Sequence, residues 1–367
     1  MTKDLAMTPE TARLTVKLDA LKANYRSLKA TAPGARMSAV VKANAYGLGA
    51  DMVAKALDEI GCDLFFTTRA HEGVELRRLG IDADIYILDG LVGDTGGVFH
   101  RYNLIPVLSS LAEIHEYRAV RQSPRERLRA AIHFDTGMNR LGLPAAELDE
   151  LAGNPKLLDG IEVTFWMSHL ASSEDQESHV NKMQLERFRE GLARLPQAKA
   201  SLANSGGVFL GKDYQFDVCR PGIALYGCKP GPDIDANLQN VATAEARILQ
   251  VQDIAPGESA GYGATWTADR PTRLATLAIG YSDGYPWVLG NKGFVHIGGI
   301  RAPIVGRVSM DLITVDMTEV PEEAVQVGGW AETMGAHVTP TELAELAGTI
   351  PYELFTSLGK RYLRRYI

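Results

Sequence analysis

A lysine closes the apolar run in S-A-V-V-K-A-N-A-Y-G-L-G, where Lys42 follows Val40 and Val41 and precedes a tyrosine and two glycines. A lone Val-Val-Lys most often ends a strand with its ammonium in water. Three other places give this lysine chemical company. His169 ends a later apolar run, Asn204-Ser205-Gly206-Gly207 makes a small-residue turn, and Arg220-Pro221-Gly222-Ile223 lies in another apolar stretch. A Ser-Gly-Gly turn exposes backbone N–H groups and a hydroxyl, which is what an anion needs, although in most proteins it is only a turn. Lysine across from a phosphate cradle suits a phosphorylated aldehyde held as a Schiff base, and pyridoxal phosphate is the leading candidate. Arg220 then has two readings. On its own it is half of a salt bridge. Against a pyridine nitrogen it would act opposite to Asp or Glu, because a guanidinium keeps its proton and leaves the ring nitrogen a neutral acceptor.

Such groups meet only if the chain places them at one end of a scaffold. Short apolar runs occur at Met37–Val41, Leu64–Thr68, Ile85–Leu88, Leu104–Leu108, Ala130–Phe134, Ile161–Met167, Ala200–Ala203 and Val218–Tyr226. Between them lie segments such as Asp51–Ile60 and Met183–Leu195, whose apolar residues recur at three and four, the helical spacing. Strand–helix alternation implies parallel strands, and eight runs suggest a closed (β/α)8 barrel of the TIM type; a doubly wound open sheet is the alternative. In such a barrel, function sits at the C-terminal strand ends, with phosphate often held after strands seven and eight. Lys42 ends run one, His169 ends run six, the Ser-Gly-Gly turn follows run seven, and Arg220 lies within run eight. Beyond Cys228-Lys229-Pro230-Gly231-Pro232 the segments become short, β-branched and glycine-punctuated, which predicts a mostly β domain. The expected division is a barrel over residues 1–232 and the β domain over 233–367.

Bulk properties narrow the class. A chain of 367 residues has room for a barrel plus an appendage, and a formal charge of -7 argues against a phosphate-backbone partner, so no nucleic-acid role is expected. The basic cluster Arg121, Arg125, Arg127, Arg129 is interrupted by Glu126 and reads as solvated surface. Three scattered cysteines, Cys62, Cys219 and Cys228, suit neither a disulfide framework nor a metal site, so no metal is expected. The opening M-T-K-D-L-A-M-T-P-E lacks the apolar stretch of a secretory signal, and no run approaches the roughly 18 apolar residues of a membrane span. A cytoplasmic enzyme without membrane attachment is the expectation.

The strings K-A-N-A-Y-G-L-G, H-F-D-T-G-M-N-R-L-G, M-S-H-L-A, N-S-G-G, R-P-G-I-A-L-Y-G, G-Y-G-A-T-W, G-Y-S-D-G and G-R-V-S-M-D span Lys42 to Asp311, with P-Y-E near the end. In this order they resemble the alanine racemases, pyridoxal-phosphate enzymes with a barrel, a C-terminal β domain and a head-to-tail homodimer. The resemblance implies interconversion of L- and D-alanine for peptidoglycan synthesis. It implies that Lys42 is the Schiff-base lysine and one catalytic base, and that Tyr262 is the second base, contributed by the partner subunit. Tyr46, Ser205, Gly222, Ile223 and Tyr352 match the phosphate contacts, His169 the residue packed near the ring, and Arg220 the partner of the pyridine nitrogen. Arg140 and Met310 match the substrate-carboxylate contacts, and Tyr281 and Arg307 the entrance lining.

Two positions depart from the family pattern. Leu48 stands where many members have His. His133 stands where many have a lysine modified to a carbamate that hydrogen-bonds the nearby arginine; histidine cannot form that group, so the usual negative partner of Arg140 is missing. Racemisation needs two bases on opposite faces of a planar intermediate, and Lys42 and Tyr262 meet that demand. An unperturbed tyrosine, with a pKa of about 10, is a poor base at neutral pH and needs cationic neighbours. A broader amino-acid racemase would share every motif. A decarboxylase of this architecture would be expected to carry an acidic residue in place of Arg220, and a non-enzymatic pyridoxal-phosphate carrier would lack the β domain.

Overall fold

In the computed structural model, residues 10–93 and 95–367 are described; most of the opening segment read above for a signal peptide lies outside them. The chain forms two compact units, Leu21–Gln239 and Asn240–Ile367, the latter joined by the chain up to Ala20.

In the first unit, seven parallel strands follow one another in chain order. They begin at Ala39–Val40 and continue through Leu64–Thr67, Asp84–Ile87, Ile105–Leu108, Leu128–His133 and Ile161–Met167 to Lys199–Ser201. An eighth, Val218–Cys219, pairs in parallel with Arg36–Met37, the lower half of the first strand. Backbone bonds close the ring. Ser38 and Val40 N–H donate to Cys219 and Pro221 carbonyls at 3.0 and 3.1 Å, while Asp217 and Arg220 N–H donate to Ala200 and Ala203 carbonyls at 3.0 and 2.9 Å. The fold is therefore the expected (β/α)8 barrel. Its interior is filled by rings from strands that are not neighbours around the ring. Phe165 on the sixth strand lies 4.8 Å from Tyr86 and 6.2 Å from Phe66, on the third and second. These bulky side chains make the barrel a packed core.

The helices follow the spacing of their apolar residues. Ala50–Asp58 buries Val53, Ala54, Ala56 and Leu57, the inward stripe of an amphipathic helix. The helix expected from Met183 starts a turn earlier, at His179, and runs to Arg194. The eighth apolar run differs more. Only Val218–Cys219 is strand, and Ile223–Tyr226 is a 3-10 turn, fully buried. Burial makes the run apolar throughout, and periodicity cannot tell a buried strand from a buried turn. Arg220 therefore stands just past the strand end rather than within it.

The second unit is built on an eight-stranded sheet. Its long strand Ala242–Ile254 pairs antiparallel with Trp330–Met334, Thr272–Leu277 and Ala12–Val16. The last strand, Leu363–Tyr366, runs parallel to Ala12–Val16. The opening strand, which a division at 232/233 assigns to the barrel, thus belongs to the β unit. Within this unit Trp330 is held between Arg13 and Arg247, whose guanidinium carbons lie 4.1 and 4.3 Å from its ring.

Candidate active site

Lys42 leaves the first barrel strand through an uncommon backbone. Ala43, Asn44, Ala45 and Tyr46 all take left-handed φ values, 52°, 56°, 51° and 55°. Each such non-glycine residue costs about 1–2 kcal/mol relative to a right-handed one. Four in a row persist only where surrounding bonds over-determine them, as happens at functional sites. Inside the turn, Ala45 and Gly47 N–H donate to Val41 and Ala43 carbonyls, each at 2.9 Å. Asn44 Oδ1 accepts from Ala50 N–H at 2.9 Å and ties the turn to the next helix. The turn sends Lys42 and Tyr46 out of one short segment.

Tyr46 reaches the strand-eight loop. A Cβ added to Gly222 would sit 2.2 Å from the Tyr46 hydroxyl, so only glycine lets the phenol approach this backbone. Gly222 N–H donates to Ser205 Oγ at 2.8 Å, and Ala224 N–H lies 3.4 Å from the same oxygen. With its lone pairs engaged, the Ser205 hydroxyl has its own proton to donate elsewhere. The preceding turn is tight for steric reasons: a Cβ on Gly206 would meet Ser173 O at 2.3 Å. Asn204 Oδ1 accepts from Ser173 Oγ at 2.7 Å and from Gly207 N–H at 3.0 Å, fixing the turn. Tyr46, Ser205, Gly222 and Ile223 thus form one cradle of small, hydrogen-bonding groups.

Arg220 makes no ion pair among the described residues. Its Nη2 donates to Ser168 O at 2.6 Å and Leu202 O at 3.3 Å, and its Nη1 to the Ser201 hydroxyl. The salt-bridge reading fails for lack of a carboxylate. Burial pushes the guanidinium down to about 10, which still leaves it protonated at neutral pH. Nη2 also lies 3.5 Å from His169 Nδ1. His169 is held well below its ordinary value by burial, then by Arg220, Arg140, His133 and Lys42. Burial, followed by Arg220, pushes His133 down to about 4. Burial and then Arg140 also lower Lys42, against the pull of Glu72 and Asp89. The nearby Asp135 is occupied: its Oδ1 accepts from Gly137, Met138 and Asn139 N–H at 3.2, 3.0 and 3.1 Å, shaping the loop that carries Arg140. Arg140 itself is exposed and makes no ion pair among the described residues. Two guanidiniums, Arg220 and Arg140, therefore gather with Lys42 and two neutral imidazoles, and neither guanidinium is spent on a carboxylate among the described residues, so both remain open to an anionic ligand.

These residues fit pyridoxal phosphate. A partly buried lysine of lowered pKa, a cradle that a Cβ at Gly222 would fill, and a buried guanidinium without a carboxylate match its aldehyde, phosphate and ring nitrogen in kind. No group of three or more metal-ligating side chains occurs among the described residues.

The remaining predicted residues lie in the second unit, where the Tyr262 turn neighbours Arg307 and Tyr281 shares loops with Met310. Tyr262 projects from a 3-10 turn with 74% of its surface exposed. A Cβ on the next residue, Gly263, would lie 3.5 Å from Arg307 Cζ. Tyr281 N–H donates to Ser309 O at 3.1 Å and Ser282 N–H to Met310 O at 3.0 Å, so Tyr281 and Met310 share one pair of loops. Arg361 braces those loops, bonding Asp283 at 3.0 Å and Asp311 at 2.7 Å. Tyr352 stands on the helix Pro351–Ser357, whose Glu353 and Leu354 line a cavity of about 610 Å3 with Tyr281.

Several supporting residues escaped the sequence reading. Tyr226 donates to Val40 O at 2.9 Å, and Thr136 and Ser168 hydroxyls meet at 2.8 Å. Gln184 Nε2 bonds Thr136 Oγ1 at 3.1 Å and His169 O at 2.9 Å. Gln184 carried one signal, a polar residue on the apolar stripe of its helix; the others carried none.

Comparison with known proteins agrees with this geometry. The alanine racemase N-terminal domain family matches residues 16–230, and its C-terminal domain family residues 241–366. The alanine racemase of Brucella abortus is 44% identical over 96% of this chain and 93% of its own. That of Methylobacterium nodulans is 45% identical over 97% and 96%. The crystal structure of alanine racemase from Bartonella henselae with covalently bound pyridoxal phosphate superposes with a TM-score of 0.94 at 42% identity, covering 98% of this chain and 100% of that one. The biosynthetic enzyme of Pseudomonas aeruginosa gives 0.91 at 35% identity, over 98% and 99%. By sequence over nearly its whole length, by architecture and by the residues at the barrel mouth, this chain belongs to the alanine racemase family.

Proposed function

We propose that this protein interconverts L-alanine and D-alanine with pyridoxal phosphate, using Lys42 and Tyr262 as opposed bases. One observation carries the reading: Lys42 opens the strained left-handed turn that ends in Tyr46, whose hydroxyl meets the Ser205–Gly222 cradle, and the carboxylate-free Arg220 lies two residues before Gly222. Pyridoxal phosphate, when bound, supplies the aldehyde that takes up an amine and the conjugated ring that spreads the charge left by a departing α-proton. The chain's own groups do the rest. Tyr46, Ser205, Gly222, Ile223 and Tyr352 hold the phosphate. Arg220, protonated and able only to donate, would leave the ring nitrogen an unprotonated acceptor, which would make the ring a weaker electron sink. An acidic partner would do the reverse, which argues against decarboxylation. His169, neutral, packs beside the ring without adding charge. Arg140 and the Met310 backbone take the substrate carboxylate, and Tyr281 and Arg307 line the entrance.

Lys42, its pKa lowered by burial and Arg140, holds or yields a proton on one face. Tyr262 serves the other. Its high exposure within one chain supports a head-to-tail homodimer in which each partner's β unit supplies this tyrosine. No helix among the described residues is long and apolar enough to cross a membrane.

Three measurements test the reading. Borohydride should fix the cofactor to Lys42, and an adduct mapped to another lysine would refute the assignment. A coupled assay of D-alanine across a panel of L-amino acids should show alanine preferred; equal rates on larger side chains would make this a broader racemase. Mixing Lys42→Ala with Tyr262→Ala chains should restore one intact site per mixed dimer. Confirmed exchange without activity would mean that both bases come from one chain.

A further inference from the structure

Glu72 is not among the residues assigned above, yet its carboxylate touches the segment that carries Lys42. It is the third residue of the helix Ala70–Arg78. One oxygen, Oε2, accepts from Thr68 and Arg69 N–H at 2.9 and 3.0 Å and caps that helix. The other, Oε1, accepts from Ala43 N–H at 2.6 Å. Ala43 follows Lys42 directly and is the first left-handed residue of the strained turn. Asn44 anchors the far side of that turn on Ala50; Glu72 anchors the near side. We infer that Glu72 is the positioning residue of the Schiff-base lysine: its carboxylate fixes the left-handed turn after Lys42 so that the amine and the Tyr46 hydroxyl reach one cofactor together. The inference rests on the functional reading above.

An internal comparison separates this role from ordinary helix capping. Glu113 sits at the same third position of the helix Leu111–Ala119, after another barrel strand, and accepts from Ser109 N–H at 2.7 Å. It has no bond to the Lys42 turn. Glutamine in place of either glutamate keeps the shape but leaves one oxygen, since the amide nitrogen only donates. At Glu113 the remaining oxygen can still accept from Ser109 N–H, so only the charge of the cap is lost. At Glu72 one oxygen must serve either the cap or Ala43, and the negative charge that opposes Arg140 at Lys42 is lost as well.

The test follows release of bound pyridoxal phosphate from purified holoenzyme into a cofactor scavenger, with melting temperature measured alongside. Glu72→Gln should release cofactor about tenfold faster than wild type, the loss expected for one charge-assisted bond. Glu113→Gln should release it at the wild-type rate, whatever the change in its melting temperature. Equal release from the two variants would overturn the inference while leaving the functional reading intact. A wild-type chain that carries no cofactor would defeat that reading itself. Hydrogen exchange gives a measurement that needs no variant: the Ala43 amide should be protected in the native enzyme, and free exchange there would also overturn the inference.

Discussion

Tyr226 donates its phenolic hydrogen to the Val40 carbonyl across 2.9 Å, from a ring whose centroid lies 4.8 Å from that of Tyr46. One tyrosine therefore touches the chain on both sides of Lys42. Tyr226 is buried, so Tyr226→Phe removes the bond without admitting water. Stability should fall by about 1–2 kcal/mol, read as a lower urea midpoint with an unchanged slope. An unchanged midpoint would show that Val40 keeps an adequate partner without the phenol.

Gly222→Ala is a narrow test of the cradle. An added Cβ would approach the Tyr46 hydroxyl to 2.2 Å. Overpacking of this kind costs about 1–3 kcal/mol. If the cradle holds phosphate, the larger effect should be on cofactor affinity, weakened about tenfold or more in a chain that still folds. A variant that binds cofactor as tightly as wild type would remove Tyr46 and Gly222 from the phosphate site.

His133 gives a pH prediction. Folding lowers its pKa from 6.5 to about 4. Below the higher value the unfolded chain takes up a proton that the folded chain refuses, so stability is full above about pH 6.5 and falls as pH drops towards 4. The loss attributable to this group is on the order of 3 kcal/mol. Urea midpoints at neutral and acid pH should show a shallower decline for His133→Asn than for wild type, with His169 still contributing in both. Parallel declines would mean that His133 is protonated in the native state.

The same residue predicts independence from carbon dioxide. With histidine where the family resemblance implies a carbamylated lysine in many members, removing dissolved carbon dioxide and bicarbonate at constant pH should leave racemisation unchanged. Reversible loss of activity, rescued by bicarbonate, would point to a carbamate elsewhere.

Tyr262→Phe tests the assignment of faces: Tyr262 takes the α-proton of L-alanine and Lys42 that of D-alanine. The variant should lose most racemisation in both directions, because turnover needs both transfers. In deuterium oxide it should still exchange the α-hydrogen of D-alanine and exchange that of L-alanine far more slowly. Equal exchange from the two enantiomers would place another base on the L face.

How much of this was legible depended on whether a residue's partner is also a side chain with a recognisable type. The barrel strands were readable because each is a short apolar run between helical spacings, and Lys42 stood out because an ammonium ended one of them. Ile223–Tyr226 was misread as strand because burial, not conformation, made it apolar. Glu72 was invisible because its partner is the Ala43 backbone, which any residue would offer. Arg220 looked like half of a salt bridge because sequence cannot show that its donors end on carbonyls and a serine. The place of Ala12–Val16 was hidden for another reason: its alternation fits any sheet, and its neighbours are Ala242–Ile254 and Leu363–Tyr366, far along the chain.

That last arrangement bears on how the molecule is made. Ala12–Val16 is synthesised early, but its two neighbours emerge only after the whole barrel has been translated. The barrel can close as soon as Val218–Cys219 appears, while the β sheet must wait for Leu363–Tyr366. During synthesis the first strand is thus an unpaired edge exposed to the nascent chain's surroundings for most of the ribosome's transit.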